Sequence, residues 1–184
     1  MWRHLPNLIT ALRIALVVPL CLLILARQWP QALLVAAFAG VSDALDGFLA
    51  KRYGWQSWIG GMLDPLADKL LLTAAFITLA WVAAIPAWLT VLIVGRDLVI
   101  VVGAIGYHAL IGRFDAAPTR LSKWTTLMQI VFVLYTLQRL AGGPVSAELD
   151  RALIVLTSAL TLASGLHYVI VWGGRAWRQQ RSRS

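Results

Sequence analysis

The sequence predicts an all-α, polytopic integral membrane protein of about six transmembrane helices, on three observations. Of its 184 residues, 60% are hydrophobic and only 13% are charged, whereas an ordinary soluble domain is roughly 45–50% apolar and about 25% charged. Apolar runs close to the roughly 20 residues needed to cross a bilayer recur along the whole chain, and the mean hydropathy is +0.77. The nine tryptophans fall near the ends of those runs, where amphipathic rings settle at a membrane–water interface.

The predicted spans are Leu8–Ala26, Gln31–Ala50, Ile59–Trp81, Pro86–Ile111, Leu121–Leu140 and Leu149–Trp172. Each is bounded by the Gly, Pro and polar residues that interrupt helices. The first closes at Gln28-Trp29-Pro30, the second at the polar stretch Lys51–Trp58, and the third at Ala84-Ile85-Pro86. Gly112–Arg120 separates the fourth from the fifth, and Ala141-Gly142-Gly143-Pro144 the fifth from the sixth. A chain of this length makes one domain, here residues 1–174, followed by a disordered basic cytoplasmic tail over 175–184. The first span is expected to stay in place rather than be cleaved as a signal, because Asn7, Thr10 and Arg13 lie along one helical stripe of it.

Charge sets orientation. If both termini face the cytoplasm, that side carries Arg3, Arg13, Lys51, Arg52, Arg113, Arg120, Lys123, Arg175, Arg178, Arg181 and Arg183, against Arg27, Arg139 and Arg151 opposite. That bias is the positive-inside pattern, so both termini are expected to be cytoplasmic. The net charge of +8 is spread in short blocks flanking apolar runs, which suits anionic lipid head groups; no nucleic-acid partner is expected. A single cysteine, Cys21, leaves neither a disulfide framework nor a thiolate metal site.

Against this apolar background four acids stand out. Asp43, Asp46, Asp64 and Asp68 lie on two adjoining apolar segments, with Gly47, Ala50 and Gly60 between them. An ionised carboxylate in hydrocarbon costs several kcal/mol, so such residues line sites. Residues three or four apart share a helix face, which pairs Asp43 with Asp46 and Asp64 with Asp68. Lys51, Arg52 and Lys69 do not balance four carboxylates by themselves, and a divalent cation is the simplest completion. An all-oxygen shell selects hard ions such as Mg²⁺, Mn²⁺ or Ca²⁺. Gly47 and Gly60-Gly61 leave backbone bare for close approach, and metals with local cations make a receptacle for a diphosphate. From chemistry alone, a proton or cation relay of a transporter fits paired intramembrane carboxylates as well.

The pattern D-x2-D-G-x2-A-x9-G-x3-D-x3-D, from Asp43 to Asp68, resembles the signature of the CDP-alcohol phosphatidyltransferase family, and the six-helix reading matches that family along the whole chain. In one place the sequence departs: the family has Arg directly after the Ala, and here Lys51 is followed by Arg52. The resemblance implies an enzyme that binds CDP-diacylglycerol through two divalent ions, Mg²⁺ or Mn²⁺, and moves its phosphatidyl group to an alcohol with release of CMP. By position, Asp43, Asp46, Asp64 and Asp68 would ligate metal, and Asp68 would also be the catalytic base. Asn7, Thr10, Arg13, Asp46, Gly47, Ala50, Lys51, Arg52 and Gly60 would bind the CDP moiety. The family further implies homodimers, and a bacterial inner membrane location with the site facing the cytoplasm is expected for this chain.

The acceptor is read from the fourth and fifth helices. Gly95-Arg96-Asp97, Ala104 and Ser122-Lys123 with Thr125 are more similar to the cardiolipin synthase branch than to the phosphatidylglycerophosphate synthase branch, which carries a second Arg where Ala104 stands. Arg96 and Lys123 are the acceptor-binding candidates, and two cations suit a phosphodiester better than a phosphomonoester dianion. Arg96 with Asp97 is equally readable as a structural ion pair. Phosphatidylglycerol is therefore the expected acceptor, with glycerol 3-phosphate as the alternative.

Overall fold

A computed structural model of the protein describes the backbone of residues 5–53, 58–111 and 119–181, and the side chains of 14–42, 69–103 and 119–170. The described residues form six helices: α1 (Leu5–Leu25), α2 (Trp29–Tyr53), α3 (Trp58–Trp81), α4 (Ala87–Ile111), α5 (Arg120–Leu140) and α6 (Ala147–Arg181). The first five have 21 to 25 residues, or about 32–38 Å at 1.5 Å per residue.

Two helix ends differ from expectation. Lys51 and Arg52 belong to the last turn of α2 rather than to a loop; nothing breaks a helix before Gly54, and cations are favourable at a helix C-terminus. The helix α6 runs past Trp172 and Gly173-Gly174 to Arg181, so the tail expected to be disordered is largely helical. Ala-Trp-Arg-Gln-Gln-Arg contains no breaker and several good helix formers, which outweigh two glycines.

Two helix starts are capped by side chains. Thr119 accepts the Ser122 N–H on its Oγ1 at 3.2 Å before α5, and Ser146 accepts the Leu149 N–H at 3.3 Å before α6. Glu148 and Asp150 in the first turn of α6 complement the positive end of the helix dipole. Three helix ends share one device, a left-handed residue whose successor bonds back to the carbonyl five residues earlier. After α5 that residue is Gly142 (φ 93°), with Gly143 N–H on Gln138 O at 3.0 Å. After α1 and α3 it is Arg27 (φ 55°) and Ala83 (φ 57°), with Gln28 N–H on Leu23 O and Ala84 N–H on Leu79 O, both at 2.9 Å.

The helices fall into two compact units. In the first, α1–α3 combine with α5 from Ile130 onward. Here α1 packs on both α2 and α3. Ala32, Ala36 and Ala39 give α2 a buried face of small residues, which permits close helix approach. Phe76 of α3 stacks on Phe132 of α5 with ring centroids 5.8 Å apart and an interplanar angle of 3°. Arg139 of α5 donates from Nη2 to the Ala84 carbonyl at 3.2 Å, supplying a partner just beyond α3. The second unit holds α4 from Trp88, α5 through Gln129, and α6. Leu89 and Ile93 of α4 and Leu153 of α6 are buried there.

The exterior is apolar around a core that is itself largely apolar. Leu34, Val91, Val155 and Ile170 are 70%, 71%, 64% and 70% exposed, and all six helices present large apolar side chains outward. Buried among the described residues are Thr78, Thr90, Arg96, Thr125, Gln129, Thr136, Thr157, Thr161 and Ser164. Among the described side chains, one helical stretch, Ala147–Ile170, is by itself long and apolar enough to cross a membrane.

The helix ends yield a paired prediction. Ala83→Gly relieves a left-handed alanine and raises stability by about 0.5–1 kcal/mol. Gly143→Ala lowers it by about 1–3 kcal/mol, because the new Cβ would lie 2.8 Å from the Gln138 carbonyl oxygen. Thermal unfolding of the two purified variants in detergent reads both shifts, which must be opposite in sign.

Candidate active site

The acidic motif spans the end of α2 and the start of α3. Asp43 and Asp46 lie on α2, which ends at Tyr53, and Asp64 and Asp68 on α3, which starts at Trp58. At 1.5 Å per residue, both pairs stand roughly 9–15 Å along the axis from the segment joining the two helices. A connection that short is the kind that joins antiparallel helices, an arrangement that would set the two acid pairs at matching heights. The helix α1, which packs on both, carries Asn7, Thr10 and Arg13 in its first turns. The side chains of Asp43, Asp46, Asp64, Asp68, Asn7, Thr10, Arg13, Gly47, Ala50, Lys51, Arg52 and Gly60 lie outside the described residues. The donor set, four carboxylates with no sulfur or imidazole in the motif, fits hard divalent cations.

The acceptor candidates lie in the second unit, where the side chains are described. Arg96 of α4 is 5% exposed. Its Nη1 donates to Asp97 Oδ1 at 2.5 Å, and its Nη2 donates to Ser122 Oγ at 2.7 Å and to Ser164 Oγ at 2.6 Å. Of the two roles expected for Arg96, an ion pair or an anion receptor, the ion pair with Asp97 is present. Burying a guanidinium is tolerated only with such charge-assisted bonds. Gly165 makes room for it: a Cβ there would meet Arg96 Cγ at 3.5 Å. The remaining donor, Arg96 Nε, is buried without a hydrogen-bond partner.

Lys123, the second acceptor candidate, is exposed; the α5 residue that reaches Arg96 is its neighbour Ser122. Ser164 was not singled out in the sequence. Its signal was there, because Thr157, Thr161 and Ser164 repeat at helical spacing on an apolar helix. Thr125 shares its hydroxyl proton between Leu121 O at 2.9 Å and Leu160 O at 3.2 Å, and Gln129 Nε2 donates to Thr161 Oγ1 at 3.4 Å. The polar faces of α5 and α6 thus meet each other, as polar residues do between helices in an apolar medium.

Removing one partner from a buried ion pair leaves the other uncompensated. Arg96→Met is expected to cost about 3–5 kcal/mol, and Arg96→Met with Asp97→Leu distinctly less than the sum of the two single changes. Unfolding of the three variants against the parent measures the coupling; additive losses would show that the pair carries none.

A model of the CDP-alcohol phosphatidyltransferase family matches residues 3–171. Among curated relatives, cardiolipin synthase (CMP-forming) of Rattus norvegicus is 34% identical over 180 residues, covering 89% of this chain and 59% of the relative. A probable phosphatidylglycerophosphate synthase of Mycobacterium tuberculosis is 34% identical over 177 residues, covering 90% and 80%. A CDP-diacylglycerol–glycerol-3-phosphate 3-phosphatidyltransferase of Pseudomonas fluorescens is 34% identical over 180 residues, covering 90% and 88%. The chain spans about three-fifths of the length of the rat protein. With the aspartate motif seated on α2 and α3 and the family match running through nearly all of the described helices, the chain belongs to the CDP-alcohol phosphatidyltransferase family.

Proposed function

We propose that this protein is an integral membrane enzyme that transfers the phosphatidyl group of CDP-diacylglycerol to phosphatidylglycerol, giving cardiolipin and CMP. The observation that carries this reading is the motif from Asp43 to Asp68, two acid pairs on successive helices that both pack on α1, in a chain matched by the family from residue 3 to 171. The names of the relatives from Rattus norvegicus and Mycobacterium tuberculosis support the two acceptor readings, phosphatidylglycerol and glycerol 3-phosphate. Family membership sets the cation-transporter reading aside.

In this reading Asp43, Asp46, Asp64 and Asp68 hold two divalent ions, Mg²⁺ or Mn²⁺. Bound metal neutralises the diphosphate and stabilises the departing CMP. Asn7, Thr10 and Arg13 face the nucleotide, while Gly47, Ala50 and Gly60 let it approach backbone, and Lys51 or Arg52 pairs with phosphate. Asp68 takes the proton of the acceptor hydroxyl as its oxygen bonds to the phosphatidyl phosphorus. The bond from that phosphorus to the CMP oxygen breaks, and its electron pair leaves with CMP. Arg96 and Lys123 read the acceptor's phosphate. The apolar exterior of all six helices supports six transmembrane spans, and the basic residues support cytoplasmic termini with the site on the cytoplasmic face. A bacterial inner membrane and a homodimer complete the proposal.

The test is CMP release by purified protein given CDP-diacylglycerol and Mn²⁺, run in parallel with phosphatidylglycerol and with glycerol 3-phosphate. Release with phosphatidylglycerol, and cardiolipin by mass spectrometry, is the expected result; release with glycerol 3-phosphate alone moves the assignment to phosphatidylglycerophosphate synthesis. In the same assay Asp68→Asn is expected to abolish turnover while CDP-diacylglycerol binding partly survives. Full activity in that variant removes the base assignment.

A further inference from the structure

Among the hydroxyl groups of the second unit, Thr157 Oγ1 is buried without a partner, and two contrasting patterns stand out in the rest. Thr125, Thr126 and Thr161 each donate to the carbonyl four residues earlier, Leu121 O, Ser122 O and Thr157 O, at 2.7–3.1 Å. This is how a hydroxyl spends its proton on a helix where no water reaches. Ser122 and Ser164 do otherwise. Each accepts a hydrogen bond from Arg96 Nη2, at 2.7 and 2.6 Å, and among the described residues neither donates one. A serine that accepts keeps an O–H to give. Beside these two protons lies the Arg96 Nε–H, buried and without a partner.

Three donor protons therefore meet around one guanidinium with no acceptor assigned to them. An unmet buried donor costs about 1–3 kcal/mol, a standing penalty that a bound oxyanion would remove. The charge of the cluster also matters. Asp97 bonds Nη1, so the guanidinium is already compensated and the cluster offers hydrogen bonds rather than net positive charge. Such a receptor favours a monoanion over a dianion, because the second negative charge finds no counter-charge to offset its desolvation.

We propose that Ser122 and Ser164, with Arg96 Nε, form the donor set that binds the acceptor's phosphate, and that compensation by Asp97 tunes this set to a phosphodiester rather than a phosphomonoester. The inference rests on the reading that Arg96 serves the acceptor, and it adds two residues and a reason for the choice. Ser164 comes from α6, a helix that carries none of the motif residues and neither Arg96 nor Lys123.

The test is steady-state kinetics of the full chain in detergent, varying CDP-diacylglycerol and each acceptor separately, for Ser122→Ala, Ser164→Ala, Ser164→Thr and Arg96→Lys. The expected result is a five- to fifty-fold rise in acceptor KM for each alanine variant, with the KM for CDP-diacylglycerol within twofold of the parent. Ser164→Thr keeps a hydroxyl and is expected to recover most of the loss. Ser122 is only half-buried, so its alanine variant is informative even if Ser164→Ala does not fold. If both alanine variants keep the parent acceptor KM while Arg96→Lys raises it, the serine donors are refuted and the role of Arg96 stands. If Arg96→Lys also leaves acceptor KM unchanged, the acceptor role of Arg96 fails, and this inference with it. A rise in both KM values together with a lower unfolding temperature reduces the serines to packing and overturns the proposal. Equal or better use of glycerol 3-phosphate by the parent overturns the tuning by Asp97.

Discussion

A hydrogen-bonding group shut away from water costs free energy until the protein itself supplies a partner, and that constraint orders nearly every polar side chain described here. Several buried threonines bond the carbonyl one turn back, as Thr78 does to Ala74 at 2.7 Å and Thr136 to Phe132 at 2.8 Å. Arg96 gathers Asp97, Ser122 and Ser164 from its own helix and two others. Helix ends close on themselves through left-handed residues even where no glycine is available, at Arg27 and Ala83. The apolar residues, freed from forming the only core, cover the outside of the helices. Such a distribution is stable in a lipid phase and costly in water.

The same constraint governs the acidic motif. Four aspartates sit on the successive helices α2 and α3, and carboxylates brought together repel unless cations lie among them. Thr78, Thr136 and the two terminal nitrogens of Arg96 find protein partners. Four aspartates have too few local cations for that, which is why divalent metal, and through it a diphosphate substrate, is the reading that the family match then supports. The acceptor raises a subtler question of charge. A guanidinium already paired with a carboxylate binds by geometry more than by charge, and this favours a lipid phosphodiester over glycerol 3-phosphate even though relatives bearing both names resemble the chain.

Much of this was legible in the sequence, for identifiable reasons. Long apolar runs punctuated by Gly, Pro and Trp placed α1, α3, α4 and α5 to within three residues at each end. Charge misled at Lys51-Arg52, which continue α2, and glycine misled at Gly173-Gly174, which α6 passes through. The closures at Arg27 and Ala83 left no mark, because the motif was carried by residues that seldom adopt left-handed backbone. The aspartate motif was visible because carboxylates are expensive in such a setting. Ser164 was not, because one hydroxyl on an apolar helix is usually satisfied by its own backbone; only the conformation of Arg96 distinguishes it. For Arg96 the ion pair proved real, and its Nε is buried without a partner.

The central claim is that the four aspartates are a two-metal site, and metal binding tests it without reference to turnover. The measurement is electron paramagnetic resonance of Mn²⁺ titrated into the purified chain with CMP present, for the parent and for Asp46→Asn. The account predicts two ions per chain with the signal of a magnetically coupled pair, reduced to one weakly held ion or none in the variant. Mn²⁺ that stays free in the parent, or binds the parent and Asp46→Asn alike, would contradict it.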